Sequence, residues 1–279
     1  MESDRGDGRV SLPRVTYVGG PTALLEWGGL RLLTDPTFDP AGATFTAGAY
    51  FLRKTQGPAR PAASLLPVDA VLLSHDHHFD NLDQSGRAFL AQASRVLTTG
   101  AGAERLAHGA VGLVPWQETE LTAPDGRVLR VTATPARHGP AHADRGPVIG
   151  FALAFWDDPT TTVYLSGDTV WYDGIGEVAA RFSVRLAPLF RGAARVAAVG
   201  PWHLTFTAEE GVEAARARRG LDLARALRGL GALLGIAPGD RPGLRGRRSR
   251  RPPAVARRGR ADRDRGMIGT PTRRDRCDD

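Results

Sequence analysis

The chain has 279 residues, is 42% hydrophobic and carries 37 Lys+Arg against 30 Asp+Glu, a net charge of +7. That length and apolar fraction suit one large domain or two small ones with a proper core, and exclude a chain disordered throughout. The single cysteine, Cys277, excludes an internal disulfide and a Cys-x-x-Cys metal knuckle, so a reducing compartment is expected. The start, Met1-Glu2-Ser3-Asp4-Arg5-Gly6-Asp7, lacks the basic and apolar blocks of a signal peptide. No run approaches the roughly 18 apolar residues of a spanning helix, and the expected location is cytoplasmic.

Charge is unevenly placed. Arg218 to Asp279 holds 18 Arg and 7 Asp, a balance of +11, which leaves −4 for residues 1–217. A basic tail suggests nucleic acid or an anionic surface, but this one has no aromatic residue to stack on a base. Lys54 is the only lysine of the chain, and the Arg, Ala, Gly and Pro bias has the look of GC-rich coding. No specific nucleic-acid partner is expected.

In chain order, Val15–Val18, Ala23–Trp27 and Leu30–Leu33 are short apolar runs ended by Gly or Asp-Pro turns, which predicts three strands. Val68 to Leu73 is apolar at five of six positions, as a strand buried on both faces would be, and runs into Ser74-His75. Gly86 to Ala93 reads as a helix, followed by strands near Arg95–Leu97, Val128–Ala133, Val148–Phe155, Thr162–Leu165 and Val184–Phe190. Thr207-Ala208-Glu209-Glu210 has capping-box spacing and predicts a helix to about Ala217. Strands mixed with helices argue for an α/β layered domain.

The densest chemical signal is Ser74-His75-Asp76-His77-His78-Phe79-Asp80-Asn81-Leu82-Asp83: three imidazoles and three carboxylates within nine positions. A divalent cation would hold them together, and His75 and His77, alternating on an extended strand end, point the same way. A solvated polar loop is the alternative, but zinc-like cations favour this donor mix. His138 and Asp168 each leave a predicted strand. Alone, His138 reads as a surface histidine and Asp168 as a turn cap; beside the cluster they read as ligands.

Together the His-x-His cluster, Pro135-Ala136-Arg137-His138 and Ser166-Gly167-Asp168-Thr169 resemble the metallo-β-lactamase superfamily. Leu32-Leu33-Thr34-Asp35-Pro36 and His203-Leu204-Thr205-Phe206-Thr207 look most like its lactonase and phospholipase-D-like branch. The resemblance covers about Val15 to Ala217 and implies an αββα sandwich with a one- or two-metal hydrolytic site between the sheets. By position, His75, His77 and His138 match the first metal site, Asp168 the bridging aspartate and Asp80 the aspartate of the second site, which also orients the nucleophile. Zinc is the implied metal, with manganese as the other candidate. A bound ion lowers the pKa of its water to about 7.

Three departures stand out. One residue is inserted in the family's His-x-His-x-Asp-His, so Asn81 stands where the last histidine is expected, and His78 is the geometric substitute. Gly19-Gly20-Pro21-Thr22 replaces the branch's Gly-His-Ala-Thr. No histidine follows His203, although the family places a final ligand later. That absence coincides with the charge break at Arg218. Back-translating Leu221 to Arg257 with permitted codons and reading one base later restores a His-Phe-Glu-Gly-Trp segment. The expectation is a metallo-hydrolase domain over 1–217 and an out-of-frame, largely disordered Arg-rich tail over 218–279, with the family's C-terminal strand and helix lost.

The implied function is metal-dependent hydrolysis of a phosphodiester, lactone or related ester in a small or lipid-like substrate. The alternative is metal binding with impaired turnover. Trp171 and Tyr172 are candidates to line the cleft or to pack in the core, and His203 to enter the site or remain on the surface.

Overall fold

In the computed structural model, which describes residues 11–47, 50–107 and 109–216, two sheets face each other because their strands alternate. Strands β1 (Arg14–Gly19), β2 (Thr22–Trp27) and β3 (Leu30–Thr34) form an antiparallel meander. A small hairpin follows, β4 (Thr44–Ala47) with β5 (Tyr50–Arg53). Then β6 (Ala70–Leu72), β7 (Val96–Thr99) and β8 (Ala110–Leu113) add in parallel beside β3, giving the order β1-β2-β3-β6-β7-β8. The second sheet runs β13-β12-β11-β10-β9, from β9 (Glu118–Thr122), β10 (Val128–Pro135), β11 (Ile149–Phe155), β12 (Asp158–Leu165) and β13 (Val184–Leu186).

Successive side chains leave a strand on opposite faces. In β2, Ala23, Leu25 and Trp27 enter the core between the sheets, whereas Leu24 joins a second cluster outside; in β6, Ala70 and Leu72 point inward and Val71 outward. From the other sheet Phe151, Leu153 and Phe155 of β11 meet them. Trp27 and Phe155 join the sheets edge-to-face with centroids 5.0 Å apart, a geometry worth about 0.5–1.5 kcal/mol beyond area burial.

Helices cover the outer faces. Phe89 of α1 (Gln84–Phe89) packs with Leu33 and Val71 on the first sheet, and α2 (Gly100–Leu106) lies against β7 and β8. Ile175 and Val178 of α3 (Asp173–Arg181) pack on Tyr164 of β12, with Ala214 of α4 (Ala208–Arg216) beside them. The result is the expected αββα sandwich. At α4 the capping box forms: Glu210 N–H donates to Thr207 Oγ1 (3.1 Å) and Thr207 N–H to Glu210 Oε2 (2.9 Å).

The structure differs from the sequence expectation at several elements. The strand predicted over Val184–Phe190 stops at Leu186, where Ala187-Pro188 follows and proline has no N–H for a ladder. Helix α2 has two glycines in its first turn, a composition of low helix propensity. It forms because Thr99 Oγ1 caps it, accepting from Gly102 N–H at 3.0 Å. Helix α3, the β4–β5 hairpin and strands β8 and β9 were not anticipated. All the described elements belong to the first of two units, Met1–Asp240. Residues 1–10, His108 and everything from 217 lie outside the described residues, and with them the tail, its shifted frame and the lost strand and helix. Among the described residues no helix is long and apolar enough to cross a membrane.

Candidate metal centre

The topology delivers the polar motifs to one edge. Because β3 and β6 are parallel, Asp35 and Ser74-His75 emerge side by side. In the opposing sheet β10 and β12 both run antiparallel to β11, so the segments leading to His138 and Asp168 leave at a common end. Ile149 N–H, at the start of β11, donates to the Ser74 carbonyl (3.1 Å) and brings the two edges together. Gly167 permits the closeness: it has φ +60°, and a Cβ there would lie 2.6 Å from the Ile149 oxygen.

At that edge His75 Nε2 lies 3.0 Å and His138 Nε2 3.2 Å from His78 Nδ1. One donor atom from each of His75, His78 and His138 lies within 4.8 Å of the others. Tetrahedral zinc with bonds of 2.0–2.1 Å implies nitrogen separations of roughly 3.3 Å, so the spacing fits one small cation. The far nitrogens are engaged by oxygen, which fixes the tautomers. Ser74 Oγ donates to Asp35 Oδ1 (2.9 Å) and so accepts from His75 Nδ1 (2.9 Å). His138 Nδ1 donates to the Leu204 carbonyl (2.8 Å) and His77 Nε2 to the Arg145 carbonyl (2.9 Å). Such outer bonds orient metal-binding imidazoles and raise their basicity.

His77 stands in the same cluster, its ring 4.3 Å from that of His78. Its Nδ1 is buried with no hydrogen-bond partner, which leaves a fourth imidazole lone pair unspent. Burial, and then the neighbouring imidazoles, hold His75 well below the ordinary histidine range and His78 down to about 3. At neutral pH these rings are uncharged, the form that ligates metal.

The acids are arranged around this cluster. Asp168 Oδ2 lies 3.6 Å from His138 Nε2; burial raises its carboxyl to about 6, with His138 pulling down and Asp80 pushing up. Asp35 is buried and raised well above the carboxylate range by desolvation, despite two bonds from Ser74. Asp76 faces away and takes a two-pronged pair from Arg105. Asp83 caps α1 and accepts from Gly86, Phe38 and Asp39 amides and from Lys54 Nζ (2.8 Å).

Two cavities meet at Asp80, Gly20 and Pro21. One, of about 320 Å³, runs under the hairpin, where Phe45 stacks on Phe79 (5.0 Å, 14°). The other, of about 220 Å³, is lined by Asp80, Asn81, Asp168 and Arg191 among others. Gly20, at the position where the resembled branch carries histidine, lines both.

The sequence matches the beta-lactamase superfamily domain over residues 30–226. The chain belongs to the metallo-β-lactamase superfamily. It is 30% identical over 197 residues to the uncharacterized protein Mb0930 of Mycobacterium bovis, an alignment covering 66% of this chain. The chain spans about half the length of the curated relatives it matches. Among solved members of the fold, an isothiocyanate hydrolase from Delia radicum gut bacteria has 23% identity and a TM-score of 0.60 over 73% of this chain and 80% of its own. A possible metal-dependent hydrolase from Veillonella parvula has 19% identity and a TM-score of 0.63 over 75% and 82%. At these identities the likeness is one of fold.

Of the residues singled out from sequence, His75, His77, His78, His138 and Asp168 gather at this edge and Asp80 lines both cavities. Trp171 and Tyr172 pack against the cluster outside the second sheet, Tyr172 beneath the Arg137 guanidinium at 4.4 Å, and neither lines the two cavities described above. His203 Nε2 lies 3.0 Å from Glu210 Oε1, beside the α4 cap. Sequence reasoning assigned no role to Asp35, Ser74 or Arg191. A signal existed for the first two, since each is a polar residue directly following a buried apolar strand.

Proposed function

We propose that the protein is a metal-dependent hydrolase of a small-molecule ester-type bond, whether phosphodiester, lactone or open ester, working in the cytoplasm with zinc, or alternatively manganese. The observation that carries this reading is the convergence of three imidazole nitrogens whose opposite nitrogens, at His75 and His138, are already bonded to oxygen. Names borne by proteins of the same fold, a possible metal-dependent hydrolase and an isothiocyanate hydrolase, agree with it.

His75, His78 and His138 would hold the ion, with His77 and Asp168 at hand. A divalent ion there supplies Lewis acidity and a nucleophile at neutral pH. Asp80, open to both cavities, orients the attacking water and accepts its proton. The cavity under the hairpin takes the apolar part of the substrate against Phe45 and Leu52 and excludes water there. Ser74 and the Leu204 carbonyl hold the imidazoles in register throughout.

The test is metal content per chain after expression in zinc- or manganese-supplemented medium, followed by assays on p-nitrophenyl butyrate, γ-butyrolactone and bis(p-nitrophenyl) phosphate with and without chelator. Chelator-sensitive turnover of any of these is expected. A second reading, metal retention with little turnover, is favoured by Asn81, which stands in place of a histidine. Stoichiometric metal with no turnover would select it.

A further inference from the structure

Arg191 is a cation that the described protein does not answer. It lines the 220 Å³ cavity together with Asp80, Asn81 and Asp168. Its Nε is buried with no hydrogen-bond acceptor, and among the described residues no carboxylate forms an ion pair with it. Burying a charge without a partner is costly, and desolvation lowers the proton affinity of this guanidinium.

Its position is nonetheless built. The side chain lies across the bare surface of Gly211 in α4, where an added Cβ would come 2.3 Å from Arg191 Cδ. Phe190 N–H donates to Ser166 Oγ (2.9 Å), which ties this segment to the strand end presenting Asp168. Ala194 N–H donates to Thr205 Oγ1 (3.1 Å), and the Ala194 carbonyl accepts from Leu204 N–H (2.8 Å). The Leu204 carbonyl in turn receives His138 Nδ1. Arg191 is therefore held in register with the imidazole cluster by four hydrogen bonds.

We propose that Arg191 determines specificity by recognising a carboxylate or phosphate group that the substrate carries beside its scissile bond. This rests on the hydrolase reading above. The planar guanidinium fork matches either oxyanion in a two-pronged bond, and the cavity between Arg191 and Asp168 has room for such a group with a few methylenes. Asp80 and Asp168 would repel an anion, but they face the imidazole cluster, where a bound cation offsets their charge. Among the described residues that line this cavity, Arg191 is then the cation left for an entering anion.

The test compares p-nitrophenyl acetate with mono-p-nitrophenyl glutarate, which adds a free carboxylate to the same type of ester, on the metal-loaded protein. The wild type should prefer the anionic ester in kcat/KM by at least tenfold. Arg191→Gln should cut that anionic-to-neutral ratio at least tenfold, and Arg191→Lys, which keeps the charge without the fork, should fall between. Glutarate alone should raise the Tm of the wild type more than that of Arg191→Gln. A wild type without preference, a variant that keeps the ratio, or equal glutarate shifts would overturn the proposal. The wild-type ratio stands as a test even if Arg191→Gln does not fold. Should neither ester be cleaved, it is the hydrolase reading that fails, and the glutarate shift still decides Arg191.

Discussion

Asp35 and His75 are joined through a single hydroxyl: Ser74 Oγ lies 2.9 Å from Asp35 Oδ1 and 2.9 Å from His75 Nδ1. The relay bridges the ends of neighbouring parallel strands and fixes which nitrogen of His75 is free. Ser74→Ala should therefore leave the fold intact but weaken metal affinity about 10- to 100-fold, the usual cost of losing an outer partner. Competition with a chromophoric chelator measures this, and an unchanged Kd would show the relay to be idle.

His78 offers its Nδ1 to the imidazoles of His75 and His138, whereas His77 is turned to the Arg145 carbonyl. Elemental analysis after dialysis should show larger metal loss for His78→Ala than for His77→Ala, and near-complete loss for His138→Ala. Metal at about 100 times its Kd should stabilise the wild type by about 2.7 kcal/mol, read as a rise in Tm that His138→Ala abolishes. The reverse order for His77 and His78 would make His77 Nδ1 the third ligand.

The Asp76–Arg105 pair gives a prediction with a sign. Burial alone would raise the Asp76 carboxyl, but the Arg105 hydrogen bonds and charge outweigh it, and the net shift is downward. The stabilisation is thus present above the unfolded carboxylate value and fades as pH falls through the lower folded value. The Asp76 side chain is 1% exposed, while that of Arg105 is 47% exposed and screened. Arg105→Ala should cost about 1–3 kcal/mol at pH 7. In urea unfolding the gap to wild type should narrow below about pH 4; a constant gap would assign the loss to packing instead.

Gly86 sits where α1 touches the loop that carries Asp35. A Cβ there would fall 1.8 Å from the Pro36 carbonyl oxygen. The loop is pinned by Phe38 and Asp39 amides on Asp83 and by Asp39 on Gln84 and Ser85, so it has little room to yield. Gly86→Ala should destabilise by about 3 kcal/mol, measured from the urea midpoint. A cost below about 1 kcal/mol would mean that the loop moves, and metal affinity should then drop with it.

Much of the scaffold was readable in the chain. The apolar run Ala23–Trp27 ended by a glycine turn, the mostly apolar run ending at Leu73 and the Thr207/Glu210 cap all report local rules of backbone geometry. Helix α2 was not readable, because Gly100 and Gly102 oppose it and tertiary packing on β7 and β8 prevails. The strand predicted to Phe190 ended early, at Leu186, ahead of Pro188, which has no donor for a ladder.

At the site, sequence by itself put imidazoles and carboxylates at strand ends, since a polar residue after a buried strand must emerge at the sheet edge. It could not say which nitrogen of each ring is free, which of His77 and His78 turns inward, or that Arg191 has no counter-ion among the described residues. Those follow from partners 66 and 68 residues away, the carbonyls of Leu204 and Arg145. Periodicity is a property of neighbours along the chain, whereas a hydrogen bond across the sandwich exists only once both sheets have packed.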